Sequence, residues 1–319
     1  MNRICLPLYV VFLMAGAHLL AQATPDLEYS EAVSAFQRGD DTAVIKILNP
    51  VVHSGALTEV QLGRAWLVLG AAYHGETNYE AANQAYDMAI QLLGSDPHAA
   101  KDYAVAVREL GVLYREMGEF KAADRLQRRS LGIAESERDH AAISRARADL
   151  VETSMVRKRL REAERYVACA ETESRLTNAM EDDDRAHLAQ VEGEVFLKTG
   201  AITNAVREYQ YAIDLFTHRY GRNFVLTGWG YALLSGVYLQ AGCEEKALAA
   251  GRQGLAILGH TAGVHDPRYG AAELRYAEIL EKAGQRAQAR QIRGDGEATL
   301  QTALESQCSG CTIDVATVR

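Results

Sequence analysis

Two cysteines near the C-terminus, Cys308 and Cys311, form the one CxxC motif of the chain. Such a pair can bind a metal ion, exchange thiols or form a disulfide. A metal site needs further Cys or His ligands at suitable spacing, whereas the nine histidines are scattered singly. A thioredoxin-like site belongs with a βαβ pattern, which the sequence lacks. We therefore expect a structural disulfide, with free thiols or a redox or metal role as the alternatives.

The sequence does not indicate other kinds of chemistry. It has no HExxH, no GxSxG and no GxxxxGK[ST], the patterns of metalloproteases, serine hydrolases and phosphate-binding loops. The acidic run Glu181–Asp184 lacks the glycine and the final glutamate of a calcium loop. Acidic side chains are favoured at the N-terminal end of a helix, so we expect this run to begin one. The sequence thus predicts a protein that is not an enzyme and uses no metal or cofactor.

The charge balance is acidic, with 34 Lys and Arg residues against 42 Asp and Glu, a net charge of −8 with neutral His. Non-specific nucleic-acid binding rests on a basic surface, so we expect no nucleic-acid partner. Basic residues do cluster at Arg125–Arg129 and Arg157–Arg161, but acidic residues flank both clusters. Mixed clusters of this kind are typical of solvated helix faces.

Residues 1–23 differ from the rest of the chain. Arg3 supplies a positive start, Leu6–Leu20 is almost wholly apolar, and Ala21–Ala23 has the small-x-small form of a cleavage site. This pattern is typical of a secretory signal peptide. An uncleaved anchor is the alternative, but the apolar run is short for a bilayer span of about 20 residues. We expect cleavage after Ala23 and a periplasmic or secreted protein, with no membrane span in the mature chain.

The chain after residue 23 is predicted to be mostly helical. The chain has five prolines in 319 residues, roughly a third of the usual share of about 5%. An alanine recurs at positions 82, 123, 163, 205, 247 and 289, with spacings of 41, 40, 42, 42 and 42 residues. A fixed period of this length is typical of helical-hairpin repeats, which stack because a lone hairpin cannot bury its apolar face.

The first full repeat shows the motif most clearly. Within residues 66–89, the pattern LGxxY is followed by Ala82, Tyr86 and Ala89. This pattern resembles the tetratricopeptide repeat (TPR), and the longer period resembles its kinesin-light-chain variety. The resemblance covers roughly residues 63–305. It implies an all-α fold, a right-handed superhelical α-solenoid of antiparallel helix pairs, which binds protein or peptide.

The repeat predicts which residues pack helix against helix, namely Gly70, Tyr73, Ala82, Ala89, Gly111, Tyr114, Ala123, Ala163, Ala205, Ala212, Ala247 and Ala289. Small residues are needed where two helix axes cross closely. Two further cysteines, Cys169 and Cys243, lie near such positions, where we expect buried thiols that act as small hydrophobes.

The repeats also predict the organisation of the chain. We expect a signal peptide at 1–23, an N-terminal helical hairpin at 24–60, about six repeats at 61–307 and a tail with the CxxC motif at 308–319. The hairpin is interpreted as a divergent repeat or a cap. Pro50 is expected to stop its second helix, because proline breaks helices.

The first helix of each repeat is expected to line the binding surface. Leu67 and Arg108 occupy matching places in successive repeats, and we take that place to face inward. Helical spacing puts the residues three before and seven after on the same face. The expected lining is Arg64, Leu67, His74, Val105, Arg108, Arg115, Arg145, Glu152, Gln190, Glu194, Trp229 and Gln240.

Four of these lining residues are arginines, which could hold an acidic or C-terminal peptide through bidentate contacts. The sequence therefore predicts an exported, non-catalytic scaffold that binds a protein or peptide. Two alternatives remain open. One is a structural subunit of a cell-envelope assembly, and the other is a thiol or redox factor that uses the C-terminal CxxC.

Overall fold

The computed structural model describes residues 26–307. The expected signal peptide at 1–23 and the Cys308–Cys311 pair therefore lie outside the described residues. In the described part of the chain, the backbone forms fourteen α-helices, one short 3₁₀ turn and no strand. The helices pack in adjacent pairs, as the sequence predicts.

The first helix of each pair has an odd number and the second an even number. In chain order the helices are α1 over 26–37, α2 Asp41–Val51, α3 Glu59–Gly75, α4 Tyr79–Leu93, α5 Ala100–Glu116, α6 Phe120–Ser136, α7 His140–Val156, α8 Leu160–Arg175, α9 Asp182–Lys198, α10 Ile202–Tyr220, α11 Val225–Gln240, α12 Glu244–Thr261, α13 Pro267–Lys282 and α14 Arg286–Gln307, with the 3₁₀ turn Pro97–Ala99 before α5. None of the described helices has the length and apolar composition of a membrane span.

The chain divides into two compact units, Met1–Leu113 and Tyr114–Arg319, which we call the N-terminal unit and the C-terminal unit. The division falls within α5, so that Arg115 belongs to the C-terminal unit. In the N-terminal unit, α3 packs against α2 and α4. In the C-terminal unit, each odd helix from α7 packs against the even helix that follows it, and α7 contacts α9 while α11 contacts α13.

Polar side chains begin several of the helices. Asp40 accepts a hydrogen bond from the backbone N–H of Ala43 at 3.0 Å, and Thr58 and Gln61 form a reciprocal capping box at the start of α3. Each cap satisfies N–H groups that the first helical turn leaves without a partner and stabilises the helix by about 1 kcal/mol. The acidic run Glu181–Asp184 begins α9, which confirms the expectation from the sequence.

The LGxxY motif brings α3 and α4 close together in the N-terminal unit. A Cβ atom on Gly70 would lie 2.8 Å from two ring carbons of Tyr86, and Tyr86 is fully buried. Any larger residue at position 70 would push the tyrosine ring away. Leu48 and Leu69, both fully buried, fill the core between α2 and α3.

Glycines have a similar role in the C-terminal unit. A Cβ atom on Gly254 of α12 would lie 2.8 Å from the backbone nitrogen of Ala232 and 2.9 Å from the carbonyl oxygen of Gly228. Both atoms belong to the backbone of α11, which cannot move away as a flexible side chain can. The close approach of α11 and α12 therefore requires the glycine.

The structure buries most of the residues predicted to pack helix against helix. Tyr73 and Tyr114 are partly buried. The buried residues are Gly70, Ala82, Ala89, Gly111, Ala123, Ala163, Ala205, Ala212, Ala247 and Ala289.

The position of Pro50 differs from the expectation. It lies inside α2, which continues through Val51. Proline cannot donate a hydrogen bond of its own, but the N–H of Val52 still donates to the carbonyl of Leu48 at 3.0 Å. The proline therefore weakens the last turn of α2 without ending it.

The expectation that Cys169 and Cys243 are buried was wrong, because both are exposed. The buried face of α8 consists of Ala163, Val167 and Ala170. Cys169 precedes Ala170 by one residue, and successive residues of a helix do not share a face. Cys243 is the residue before the first turn of α12, where the chain turns between the two helices.

Candidate functional site

The first helices of the C-terminal unit bring together a group of charged and polar side chains. Arg115 comes from the end of α5, and the others come from α7, α9, α11 and α13. They form two neighbouring sets. The first set contains ion pairs within the chain, whereas the second set contains none in the described residues. We call the first set, Arg115, Asp149, Glu152 and His187, the Glu152 cluster, and the second set, Gln190, Glu194, Trp229 and Arg275, the Glu194 cluster.

The Glu152 cluster is internally paired. The Arg115 guanidinium donates to a carboxylate oxygen of Glu152 at 2.9 Å, and the Nε2 atom of His187 lies 3.4 Å from the same oxygen. Burial acts to lower the pKa of Arg115, but the carboxylates of Glu152, Glu116 and Asp149 raise it overall. Arg115 therefore stays charged and serves as the counter-ion of the cluster.

Asp149, Glu152 and His187 form the one group of potential metal ligands among the described residues, with ligand atoms within 4.8 Å of one another. Two carboxylates and an imidazole suit a divalent cation such as Zn²⁺ or Mn²⁺. However, Arg115 already neutralises Glu152, and its positive charge opposes the entry of a second cation. The arrangement fits a paired structural cluster better than a metal centre.

The Glu194 cluster lacks such pairing. Within residues 26–307, neither Glu194 nor Arg275 makes a hydrogen bond or an ion pair, and the side-chain nitrogen of Gln190 is buried without a hydrogen-bond partner. The guanidinium of Arg275 lies over the ring of Trp229, 5.7 Å from its centroid, and the Nε atom of Arg275 is also buried and unbonded. Partly buried groups in this state can still form hydrogen bonds to a ligand.

The local electrostatics place Glu194 among several charges. Burial, followed by the negative charge of Glu152, raises the pKa of the Glu194 carboxyl, whereas Lys198, Arg275 and Arg115 act in the opposite direction. The three cations are close enough to influence the carboxyl, but none forms an ion pair with it in the described part of the chain. A ligand can therefore approach Glu194 without displacing an internal partner.

The packing of the helices explains how the Glu194 cluster is held. A Cβ atom on Gly193 would lie 2.9 Å from the ring of Tyr209, so α10 presses its tyrosine closely against α9. Burial and the nearby Glu194 raise the pKa of Tyr209. A Cβ atom on Gly236 of α11 would lie 3.9 Å from an Nη atom of Arg275, so the arginine of α13 lies beside the glycine of α11.

The four predicted arginines are all paired within the chain. Arg145 forms a bidentate ion pair with Asp184, at 2.7 and 2.6 Å, and Arg115 pairs with Glu152. In the N-terminal unit, Arg64 pairs with Asp102 at 2.7 Å and Arg108 with the neighbouring Glu109. The acidic or C-terminal peptide that these arginines suggested stays a prediction, and such a ligand would compete with the internal carboxylates.

The remaining predicted lining residues have varied surroundings. In the N-terminal unit, Leu67 packs against the core that contains Ala89, Val105 is partly buried, and His74 contacts the Tyr86 hydroxyl at 3.5 Å. In the C-terminal unit, Gln240 is exposed at the end of α11.

Sequence reasoning missed Arg275, Asp149 and His187. A signal for His187 was available, since it precedes Ala205 by 205 − 187 = 18 residues and the predicted Arg145 precedes Ala163 by 163 − 145 = 18 residues. The two residues thus hold the same place in their repeats.

No protein-family model and no curated protein matches the sequence, but solved structures match the fold. Aspartyl phosphate phosphatase F from Bacillus subtilis superposes with a TM-score of 0.67 at 11% identity, over 93% of this chain and 76% of that one. A Rap protein solved in complex with competence and sporulation factor gives 0.60 at 16% identity, over 83% of this chain and 75% of that one. A tetratricopeptide repeat protein from Parabacteroides merdae gives 0.54 at 11% identity, over 89% and 97%.

Likeness at these identities shows the fold and no more. The 42-residue kinesin-light-chain variety of the repeat stays a prediction. The chain has the α-solenoid fold of tetratricopeptide repeat proteins, as the sequence predicts.

Proposed function

We propose that this chain is an exported, non-catalytic scaffold that binds a protein or peptide through the Glu194 cluster of its C-terminal unit. The observation that carries the proposal is the contrast between the two clusters. Arg115 pairs with Glu152 and Arg145 with Asp184, whereas neither Glu194 nor Arg275 forms an ion pair in the described residues. Gln190 and Arg275 also each keep a buried side-chain nitrogen without a hydrogen-bond partner there.

The energetics favour the Glu194 cluster over the paired arginines as the contact site. A ligand that bound Arg115 or Arg145 would first have to separate an internal ion pair, and breaking a buried pair is costly. A ligand at Glu194 and Arg275 gains charge-assisted hydrogen bonds without that cost. Trp229 adds apolar area beside these groups, and tryptophan and arginine are enriched among the residues that dominate binding energy.

One protein of the same fold supports a binding role. The Rap protein with the same fold was captured with competence and sporulation factor bound. Aspartyl phosphate phosphatase F carries the name of an enzyme, so the fold alone does not decide between the two. The charge pattern of the Glu194 cluster supports recognition, because it pairs no nucleophile with a base.

The proposal of export rests on the sequence of residues 1–23. Cell fractionation and N-terminal sequencing of the mature protein test it directly. We expect the protein outside the cytoplasm with a new N-terminus at residue 24. Full-length protein in the cytoplasm would contradict export without affecting the binding site.

The binding proposal is tested by a triple substitution, Gln190→Ala, Glu194→Gln and Arg275→Gln. A matched control changes the same residue types at exposed positions of α12, Glu245→Gln, Arg252→Gln and Gln253→Ala. Each protein is purified from its native compartment, and its bound proteins and peptides are quantified by mass spectrometry. We expect a partner that is retained by the wild type and the control and lost from the triple variant, with unchanged circular dichroism. Retention of every partner by the folded triple variant would refute binding at this cluster.

A further inference from the structure

The Glu194 cluster contains one negative and one positive side chain that are unpaired in the described residues, and no ion pair joins them to each other. Glu194 lies on α9 and Arg275 on α13, and Trp229 of α11 contacts the arginine. The charge of Arg275 still acts on the Glu194 carboxyl. The two groups are therefore close enough to interact electrostatically without forming an ion pair.

We propose that this cluster recognises a peptide segment in which an acidic side chain lies next to a basic side chain. The acidic group would pair with Arg275 and the basic group with Glu194. This inference rests on the proposed function and specifies its ligand. It differs from the acidic peptide that the arginines suggested, because the unpaired groups of the cluster carry opposite charges.

Charge complementarity disfavours ligands of a single sign. An acidic peptide would pair with Arg275 but would bring a second negative charge close to Glu194, whose pKa burial and Glu152 already raise. A basic peptide would pair with Glu194 but would approach Arg275, Lys198 and Arg115. Like charges brought together weaken binding, and this repulsion is a common source of specificity.

Gln190 favours a peptide over a small ion. Its side-chain nitrogen is a buried donor without a partner in the described chain, one helical turn before Glu194 on the same face of α9. A donor at that place can bind a backbone carbonyl oxygen, which every peptide residue offers. Small ions with the same charges lack a backbone carbonyl.

The test uses four capped tetrapeptides with glycine at both ends and two central residues, which are Asp-Lys, Asp-Gln, Asn-Lys or Asn-Gln. Binding to the full chain is measured by titration calorimetry at neutral pH. Charge-assisted hydrogen bonds are roughly twice as strong as neutral ones, so we expect the Asp-Lys peptide to bind at least about 10-fold more tightly than either singly charged peptide. Equal binding of the four peptides, or no binding of the Asp-Lys peptide at millimolar concentration, would overturn the inference.

Single substitutions assign each charge to its partner. Glu194→Gln should remove the advantage of Lys over Gln in the peptide and keep that of Asp over Asn, and Arg275→Gln should do the reverse. If both variants keep the preferences of the wild type, the inference is overturned. If the peptides show no charge preference but the native partner is still lost from the triple variant, the inference fails alone. If the triple variant keeps that partner, the proposed function fails as well.

Discussion

Glu192 offers the sharpest test of the electrostatics of the fold. Its side chain is 9% exposed on α9, and one carboxyl oxygen is buried without a hydrogen bond in the described chain. Burial, then the carboxylates of Glu208 and Glu171, raises its pKa to about 8, although Arg175 and Arg207 act against the shift. The folded protein therefore holds this carboxyl in its neutral form at physiological pH.

The consequence for stability can be worked out from the shift. The pKa rises from 4.5 to about 8, which is about 3.5 units, or roughly 5 kcal/mol at about 1.36 kcal/mol per unit. Because the folded pKa is above the unfolded value, the folded state binds the proton more tightly. The loss of stability caused by Glu192 is absent below about pH 4.5, grows as the pH rises and is complete above about pH 8. Glu192→Gln removes the titrating group and should stabilise the protein by about 2–5 kcal/mol at alkaline pH.

The assay is urea unfolding at several values between about pH 5 and pH 9, with Glu164→Gln on the exposed surface of α8 as the matched control. We expect the difference in unfolding free energy between Glu192→Gln and the wild type to grow with pH and the control to follow the wild type. A difference that is constant with pH, or one that shrinks as the pH rises, would refute the reasoning.

Three further predictions follow from the packing and the site. Ala89→Leu should destabilise the protein by about 1–3 kcal/mol, because the residue is fully buried between α4 and its neighbours; an unchanged thermal melt would contradict its place at the helix crossing. Gly254→Ala should cost a similar amount, about 1–3 kcal/mol, since its Cβ would lie 2.8 Å from the backbone nitrogen of Ala232. Its control, Gly294→Ala on α14, has nothing within 4 Å, and equal melting of the two variants would show that the contact is unimportant. Binding of the Asp-Lys peptide should weaken as the pH falls, because the raised pKa of Glu194 lets its carboxyl take up a proton; calorimetry of Glu194→Gln should show no such loss.

The fold could be predicted from the sequence because each repeat needs a small residue where its two helices cross. Ala82, Ala163 and Ala247 are each fully buried where two helices meet, and a bulky residue at any of these places would separate the helices. The 40- to 42-residue spacing of these alanines therefore reports a steric constraint directly. The exposure of Cys169 shows the limit of this signal, because one residue of rotation along α8 changes the face on which a side chain lies.

The site could be predicted only in part. Helical spacing identified Gln190, Glu194 and Trp229 as lining residues of the first helices, because the spacing within one helix determines which residues share a face. It could not show that Arg145 would pair with Asp184, 39 residues away, because such a pair depends on side-chain conformations and on the offset between two helices. For the same reason, the sequence alone could not show which internal carboxylates the four arginines contact.

The most direct test of binding at the Glu194 cluster uses the fluorescence of Trp229. The chain has two tryptophans, so a Trp66→Phe variant leaves Trp229, beside Arg275, as the one tryptophan whose emission is followed. The partner identified by mass spectrometry, or the Asp-Lys peptide, is titrated into this variant while binding is followed in parallel by calorimetry. We predict a saturable change in Trp229 emission with the same dissociation constant as the calorimetric one. Saturable calorimetric binding with no change in Trp229 emission would contradict the proposed site.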